Sequence, residues 1–446
     1  MRLNKLLIIS LFLNSISGVG QELLSLENAI SITLENNYGI QIAKRTVQQA
    51  ENNSHLLNKG LLPSLTGTAS ASRNSSSSEM TTSEGVEFEI DDAVNKNYSA
   101  GLKVSFTLFD GFQRWYKNKN LDESLALSKL DARQIVESTL IDVYSTYYTA
   151  NLFDQNVSNQ TEILKISKQR LARVKAHASF GQVSQLDVLN AEVDVNNDSI
   201  SLLNLQNQMT NIKRDLNLLL GRKIDILFVT NLEVAMNNDL KKLDLLNSAL
   251  DENVQVLKRR QQLRIGQNLD EINKSTWLPK LSFNSTYNWS LQDNSITPTI
   301  GNQIQLQEQQ NIGLNTGIAL NWDIFDGGSN IIRKQNSAID ILNAETNLEL
   351  VQQELSRDIL NAWSNYQNAL YLINVQAKNV ETNQNNFART KEKFNLGQIN
   401  SITFRQAQIN LLNAQTIFNK SKFDAKLSEL QLLQLSGRLD QVSISK

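Results

Sequence analysis

Two hydrophobic periods alternate along the chain, and each occurs twice. In residues 98–108, Tyr98, Ala100, Leu102, Val104, Phe106 and Leu108 fall on one side, with Ser99, Gly101, Lys103, Ser105 and Thr107 on the other. This period of two predicts a strand with one apolar face. Residues 312–324 repeat it, with Ile312, Leu314, Ile318, Leu320, Trp322 and Ile324 set against Gly313, Asn315, Gly317, Asn321 and Asp323. Each run has an alternating partner upstream: residues 65–72, and the run carrying Leu281, Phe283, Tyr287, Trp289 and Leu291. Between the partners lie polar stretches, 73–97 and 292–310, rich in Ser, Thr, Asn, Gln and Glu. They are expected to be long solvated loops.

After each second strand comes Phe-Asp-Gly, at Phe109-Asp110-Gly111 and Phe325-Asp326-Gly327. There the period changes. Leu348, Val351, Leu355, Ile359, Ala362, Tyr366, Ala369 and Ile373 step by three or four residues, as do Val136, Leu140, Val143, Tyr147 and Ala150. That spacing is close to the 3.5 of a coiled-coil seam. Helices are predicted over 113–178 and 329–394, each roughly 100 Å long at ~1.5 Å per residue. Residues 22–60 and 184–220 also read as helical, at about half that length; Pro63 ends the first by pushing its predecessor out of the helical region.

The two halves are in register. Leu62-Pro63-Ser64-Leu65 recurs as Leu278-Pro279-Lys280-Leu281, an offset of 216 residues. Gly181-Gln182-Val183 and Gly397-Gln398-Ile399 share it, as do Leu220-Gly221-Arg222 and Ser436-Gly437-Arg438, and Leu34-Glu35-Asn36-Asn37 and Leu250-Asp251-Glu252-Asn253. Anchors in one register without a gap point to a tandem duplication. The expected organisation is a first repeat over 21–221, a connector over 222–242, a second repeat over 243–438 and a tail over 439–446.

Composition narrows what such a chain does. It has three prolines in 446 residues, so few positions forbid a long helix. Basic and acidic residues balance to a net charge of −2, which leaves no footprint for nucleic acid. Cysteine is absent and the histidines are His55 and His177, which excludes thiol chemistry and disulfides and offers no ligand ladder for soft metals. No phosphate loop, triad signature or metal cluster appears, so neither an enzyme nor a cofactor is expected. Arg2 and Lys5, the apolar run Leu6–Leu13 and Gly18-Val19-Gly20 read as a secretory signal peptide over 1–20, cleaved after Gly20. No cysteine stands there to take a lipid anchor. No later run reaches the ~18 apolar residues of a membrane helix, so membrane insertion falls to the strands.

Four one-faced strands per chain cannot close a barrel, because lipid tolerates no open edge and a membrane barrel needs at least eight strands. Eight-stranded barrels are filled with side chains, so three chains, with twelve strands, make the smallest open conduit. Trp115, Trp277 and Trp322 lie beside strand–helix junctions, where an aromatic belt would sit; Trp363, in mid-helix, reads as core. The rival reading is an exported soluble coiled-coil scaffold or adhesin, which would share the seams but has no use for one-faced strands.

The signal peptide, the duplicated halves, the strand pairs between helices, Phe-Asp-Gly at each strand exit and a glycine-centred helical hairpin leading into Ser184–Glu192 ("SQLDVLNAE") together resemble the TolC family of outer membrane efflux proteins. The resemblance covers nearly all of the mature chain. It implies a mainly α protein with a β-barrel portion: four membrane strands per chain, and a trimeric twelve-stranded barrel continued by an α-helical tunnel across the periplasm. It further implies a homotrimer in the outer membrane of a Gram-negative bacterium. Its partners would be a periplasmic adaptor (membrane fusion) protein and an inner-membrane transporter.

By the same resemblance, Gly181, Gln182, Val183, Gly397, Gln398 and Ile399 form the adaptor-docking tip, and the Phe-Asp-Gly copies the barrel–tunnel junction. The best-studied family member closes its tip with two carboxylates, an arginine and a tyrosine. The matching positions here are Thr403, Gln406, Ile399 and Phe394, and none agrees. Asp187, six residues after Gly181, is the remaining acidic candidate for a latch, with Arg405 as partner and Phe394 constricting the lumen by bulk; alternatively, Asp187 caps a helix or faces solvent.

Overall fold

A computed structural model describes residues 22–439 except 82, 86, 232, 233, 235, 238 and 295–307. The expected signal peptide, the centre of the 292–310 stretch and tail residues 440–446 lie outside the described residues. Contacts divide the chain into two compact units: residues 43–133 with 254–354, and residues up to 42 with 134–253 and from 355 onward.

The first unit is built on an antiparallel sheet of β2 (Ser64–Thr81), β3 (Glu87–Phe109), β5 (Lys280–Asn294) and β6 (Glu308–Asn321), in the order β2-β3-β5-β6. The short strands β1 (Glu22–Leu24) and β4 (Phe228–Thr230) belong to the other unit. The register stacks the apolar positions in rows across all four strands: Gly67, Leu102, Tyr287, Leu314, and Ala69, Ala100, Trp289, Ile312. The opposite face is polar, with Ser70, Ser99, Ser290 and Asn311 in one row. On the apolar face Ile312, Leu314, Ile318 and Leu320 are each at least 60% exposed, so among the described residues β6 leaves its greasy side uncovered. A register shift between Thr107 and Phe109 is a bulge that brings Phe109, instead of Leu108, opposite Leu281.

The sheet extends beyond the expected strands. Residues 73–81 and 87–97, read from sequence as a loop, pair as strand, for example Arg73 with Lys96 and Asn74 with Asn95. The ends of the 292–310 stretch pair too, Gln292 with Gln309. Backbone ladders need no apolar side chain. Residues 73–79 of β2 are polar and exposed on both faces, so that arm carries no period-two signal.

The helices emerge where expected. α3 spans Gln113–Ser179 and α7 spans Ser329–Asn395, 67 residues each; α4 spans Gln185–Leu219 and α8 Ser401–Leu435, 35 residues each. The stretch 22–60 is not one helix: it contains β1 (Glu22–Leu24), α1 (Leu26–Asn36), α2 (Tyr38–Ser54) and a 3-10 turn (Leu56–Asn58). Asn37 makes the break, its Oδ1 accepting from Ile40 N and its Nδ2 donating to Leu219 O at 2.7 Å. The second half matches: between α5 (Lys242–Glu252) and α6 (Val254–Ser275), Asn253 Nδ2 donates to Leu435 O at 2.9 Å. The 216-residue offset therefore holds in contacts as well as in letters.

In the second unit β1 runs parallel to β4 (Phe228–Thr230), and Leu24, Tyr147, Tyr148, Leu216, Phe228 and Phe423 share its main core. The seam residues Leu355, Ile359, Ala362 and Tyr366 are all buried, as a packing stripe requires. Beside them Lys426 and Glu429 form an ion pair at 2.7 Å with both side chains wholly buried. Glu429 also accepts from Asn237 N, while Tyr366 donates its hydroxyl to Asn237 O. Burial, aided by the Glu429 charge, pushes the Tyr366 phenol up to about 12.

Candidate functional sites at the strand–helix junction and the helical tips

β3 and β6 both end beside the start of β5, since Phe109 pairs with Leu281 and Leu281 with Leu320. Both Phe-Asp-Gly motifs therefore leave the sheet at one end. In each, the aspartate caps the helix that follows. Asp110 Oδ2 accepts from Arg114 N at 3.0 Å and Arg114 Nε at 3.1 Å; Asp326 Oδ2 accepts from Asn330 N at 2.9 Å and Arg333 Nη2 at 3.1 Å. A carboxylate at a helix start meets free N–H groups and the positive end of the dipole. The glycines turn the backbone, with φ of +70° at Gly111 and +71° at Gly327. Gly111 is also crowded: a Cβ there would lie 2.5 Å from Ser275 O and 2.7 Å from Leu278 Cβ, whereas at Gly327 it would meet nothing within 4 Å. Phe325 is 82% exposed, and Trp322 Nε1 donates to Trp277 O at 3.1 Å.

Below the second junction Asp270 accepts from Ser337 Oγ at 2.6 Å and pairs with Lys274 at 2.7 Å. Burial pushes its carboxyl up, but these bonds and the charges of Lys274 and Lys334 outweigh that and hold it below the ordinary value.

The tips are two helical hairpins of one construction. At Gly181 (φ +69°) Gln182 N donates to His177 O and Gly181 N to Ala178 O; at Gly397 (φ +74°) Gln398 N donates to Lys393 O and Gly397 N to Phe394 O. Both are Schellman endings, the reason glycine stands there. The caps that follow occupy matching positions with different chemistry. Ser184 and Asp187 exchange a capping box, while Asn400 Oδ1 accepts from Thr403 N and from Thr403 Oγ1, each at 2.9 Å. The hairpins enclose a cavity of about 400 Å³ whose walls include Arg173, Val183, Asp187, Phe394 and Ile399. Gly181, Gln182, Gly397 and Gln398 are exposed, and so are Phe180 and Leu396 beside them, at 78% and 72%.

Two expectations change. Asp187 and Arg405 are not partners: Asp187 turns back onto Ser184, and Arg405 reaches Asp198, with Nη2 to Oδ1 at 2.7 Å and Nη1 to Oδ2 at 2.8 Å. The capping box holds the Asp187 carboxylate within its own turn, leaving Asp198 and Asp194 to face the guanidinium. Phe394 does not stand free either. It stacks on Phe404 with centroids 4.6 Å apart and lies under Arg173. Of the other expected aperture residues, Thr403 completes a cap and exposed Gln406 donates to Asn410.

Sequence reading missed the polar cluster joining α3, α4 and α8. Asp198 accepts from Ser167 Oγ at 2.6 Å as well as from Arg405, Gln408 Nε2 donates to Ser167 Oγ at 3.0 Å, and Arg170 pairs with Asp194. A signal existed: Ile163, Ser167, Arg170 and Val174 step by four, three and four, placing a hydroxyl and a guanidinium on a seam, and all four are buried.

A sheet that presents an apolar face outward, capped turns at one end of it and long helices ending in paired tips define an outer membrane channel that continues into helices. Among the described residues no helix is long and apolar enough to cross a membrane. The chain belongs to the outer membrane efflux protein family, whose profile matches residues 29–222 and 245–438. It is 24% identical over 426 residues to a probable efflux pump outer membrane protein, TtgC, of Pseudomonas putida, an alignment covering 93% of this chain and 83% of the relative. Among solved structures it resembles the CmeC outer membrane channel of Campylobacter jejuni, with a TM-score of 0.74, 15% identity and coverage of 93% and 86% of the two chains. The outer membrane protein VceC of Vibrio cholerae gives a TM-score of 0.71 at 14% identity, covering 92% and 96%. The protein is thus an efflux channel of the Gram-negative outer membrane extending into the periplasm, and not an enzyme. It works with other components of an efflux pump. The scaffold or adhesin reading finds no support.

Proposed function

We propose that three copies of the chain close a twelve-stranded barrel continued by a helical tunnel, and that the tunnel takes cargo from an inner-membrane transporter through a periplasmic adaptor. The sheet carries this reading: among the described residues β2 and β6 each pair on one side only, and the apolar face is exposed. Open edges in lipid are intolerable, so β6 of one copy must meet β2 of the next. Four strands per chain make three the smallest number that leaves an open lumen.

The chain has no cysteine, so cysteines introduced one in β2 and one in β6 report cleanly on that edge. Oxidation is expected to give a gel ladder ending at three chains; a ladder ending at two, or running past three, overturns the trimer.

We assign adaptor docking to the tips around Gly181-Gln182-Val183 and Gly397-Gln398-Ile399. Exposed Phe180 and Leu396 supply apolar contact there. Photo-crosslinkers at Gln182 and Gln398 are expected to trap a periplasmic protein that co-purifies with an inner-membrane transporter, and no product from either tip refutes the assignment. The aperture belongs to the same end, lined by Asp187, Thr403 and Gln406, with Phe394 and Arg405 behind as packing and ion-pair residues. Gln406→Lys should reduce cation selectivity in planar bilayers; unchanged selectivity removes Gln406 from the aperture. The organisation into repeats 21–221 and 243–438 around connector 222–242 belongs to this reading, as does export by residues 1–20. N-terminal sequencing of the mature protein should start at Gln21.

A further inference from the structure

Phe112 is, among the described residues, the one non-glycine residue with positive φ, at +67°. That region costs an L-residue roughly 1–2 kcal/mol. The second copy meets the same backbone demand with Gly327 and Gly328, at +71° and +86°, where the first has Gly111 and Phe112. Glycine would relieve the strain, yet the first copy keeps an aromatic ring there. Strain held in this way marks a position with a task beyond folding.

The ring of Phe112 meets Phe109 edge-on at 5.4 Å and is 60% exposed. It lines a cavity of about 650 Å³ with Leu56, Leu61, Leu108 and Trp115, all more than 40% exposed. Polar groups rim this apolar wall. Lys59 pairs with Asp122 at 3.2 Å and Arg114 with Asp110 at 3.1 Å. Lys119, on the same rim, makes no ion pair among the described residues, so the rim carries one uncompensated positive charge.

We propose that this cavity seats one anionic glycerophospholipid of the periplasmic leaflet, its acyl chains against Leu108, Phe112 and Trp115 and its phosphate against Lys119 and Lys59. The inference rests on the reading that the strands cross the membrane, which sets the end of β3 at the lower edge of the hydrocarbon. An acyl chain gains from an exposed apolar wall continuous with the lipid-facing strand. Trp115 suits the boundary because its ring is apolar and its N–H polar. Lysines beside an apolar surface keep their charge in the headgroup layer and attract an anionic lipid. A zwitterionic lipid would leave the Lys119 charge unanswered.

The test uses the full chain in its native oligomer, purified in mild detergent, titrated with phosphatidylglycerol or phosphatidylethanolamine and read by native mass spectrometry. Wild type is expected to bind phosphatidylglycerol saturably, at about one per chain above the unsaturated background, with at least ~10-fold preference over phosphatidylethanolamine. Phe112→Gly, which adopts the backbone the second copy already uses, should fold as well as wild type and lose the saturable lipid. Lys119→Glu should bind but lose the headgroup preference. Equal lipid binding in wild type and Phe112→Gly overturns the proposal. So does a weakened oligomer in Phe112→Gly with lipid binding intact, because the cavity would then be a contact between copies. Conductance of each sample in planar bilayers separates the two readings: a conducting channel whose lipid count ignores Phe112 sinks this inference alone, and a wild type that does not conduct sinks the channel reading.

Discussion

Replacing Arg405 by methionine should loosen α8 from α3 and α4 near the tip. The carboxylate of Asp198 is 6% exposed and takes both terminal nitrogens of Arg405, at 2.7 and 2.8 Å. Removing one member of a buried pair leaves an uncompensated charge and costs about 3–5 kcal/mol. Two features pull the value to the lower end: Arg405 is 15% exposed, and Ser167 Oγ, at 2.6 Å, stays to solvate Asp198. A loss of about 3 kcal/mol, at ~1.4 kcal/mol per decade, makes local opening about a hundred times more frequent. Hydrogen exchange of peptides covering residues 194–202 and 401–410 reads this directly. Gln406→Ala, one position away but bonded to exposed Asn410 on its own helix, is the control. Adding Asp198→Leu to Arg405→Met removes the stranded charge and should restore most of the protection. Exchange changed by less than about threefold, or a double variant as labile as the single, would refute the claim that this pair ties the helices together.

Other expectations follow from the same geometry. Gly111→Ala combines left-handed strain with the clash at Ser275 O and should cost well over ~2 kcal/mol, whereas Gly327→Ala pays only the strain of about 1 kcal/mol; equal losses of heat-resistant folded protein on gels would show that crowding at Gly111 is irrelevant. Asp187→Ala removes one side of the capping box, worth about 1 kcal/mol, and should speed amide exchange at residues 185–188 about fivefold; unchanged exchange would return Asp187 to the solvated or latch reading. The folded-state pKa of Asp270 lies below its unfolded value of 3.8, so its bonds to Lys274 and Ser337 add stability above that pH, which is lost as pH falls through the folded value. Acid unfolding of Asp270→Asn should therefore converge with wild type at low pH and lag it near neutrality; parallel curves contradict the linkage. Glu429→Gln removes the buried charge that, after burial itself, helps raise Tyr366, so ultraviolet titration should find the phenol ionising below about 12; no shift would place Glu429 outside its field.

What was legible in the sequence was whatever one side chain in two, or two in seven, announced. The apolar faces of β3 and β6 and the long helices α3 and α7 came from spacing alone, because burial or exposure to lipid imposes a period there. The outer part of β2, residues 73–79, was not legible, since polar side chains on both faces leave no apolar period to read. The break at Asn37 hid for a related reason: one asparagine bonding to Leu219, 182 residues away, is a tertiary fact. At the tip, the resemblance gave the turns their role, but the pairing of Arg405 with Asp187, chosen where the family's latch residues are missing, fails because Asp187 and Asp198 both sit on α4 and only packing decides which one a guanidinium on α8 can reach. Phe112 lies just past the Phe-Asp-Gly motif and nothing in its spacing marks it; its left-handed backbone needed coordinates.

The pairing of β3 with β5 has a consequence for how the protein is made. Phe109 bonds alongside Leu281 and Asn95 alongside Asn294, across 172 and 199 residues. The α3–α4 hairpin, by contrast, closes around Gly181 within its own half. Local helical contacts form early and long-range strand pairs late, so an exported chain acquires its hairpins while the one-faced strands of the first half still wait for partners from the second. During that interval the greasy face of β3 is open in the periplasm. The outer stretch of β2, residues 73–79, is well suited to that wait, since a strand polar on both faces has little tendency to aggregate before the membrane receives it.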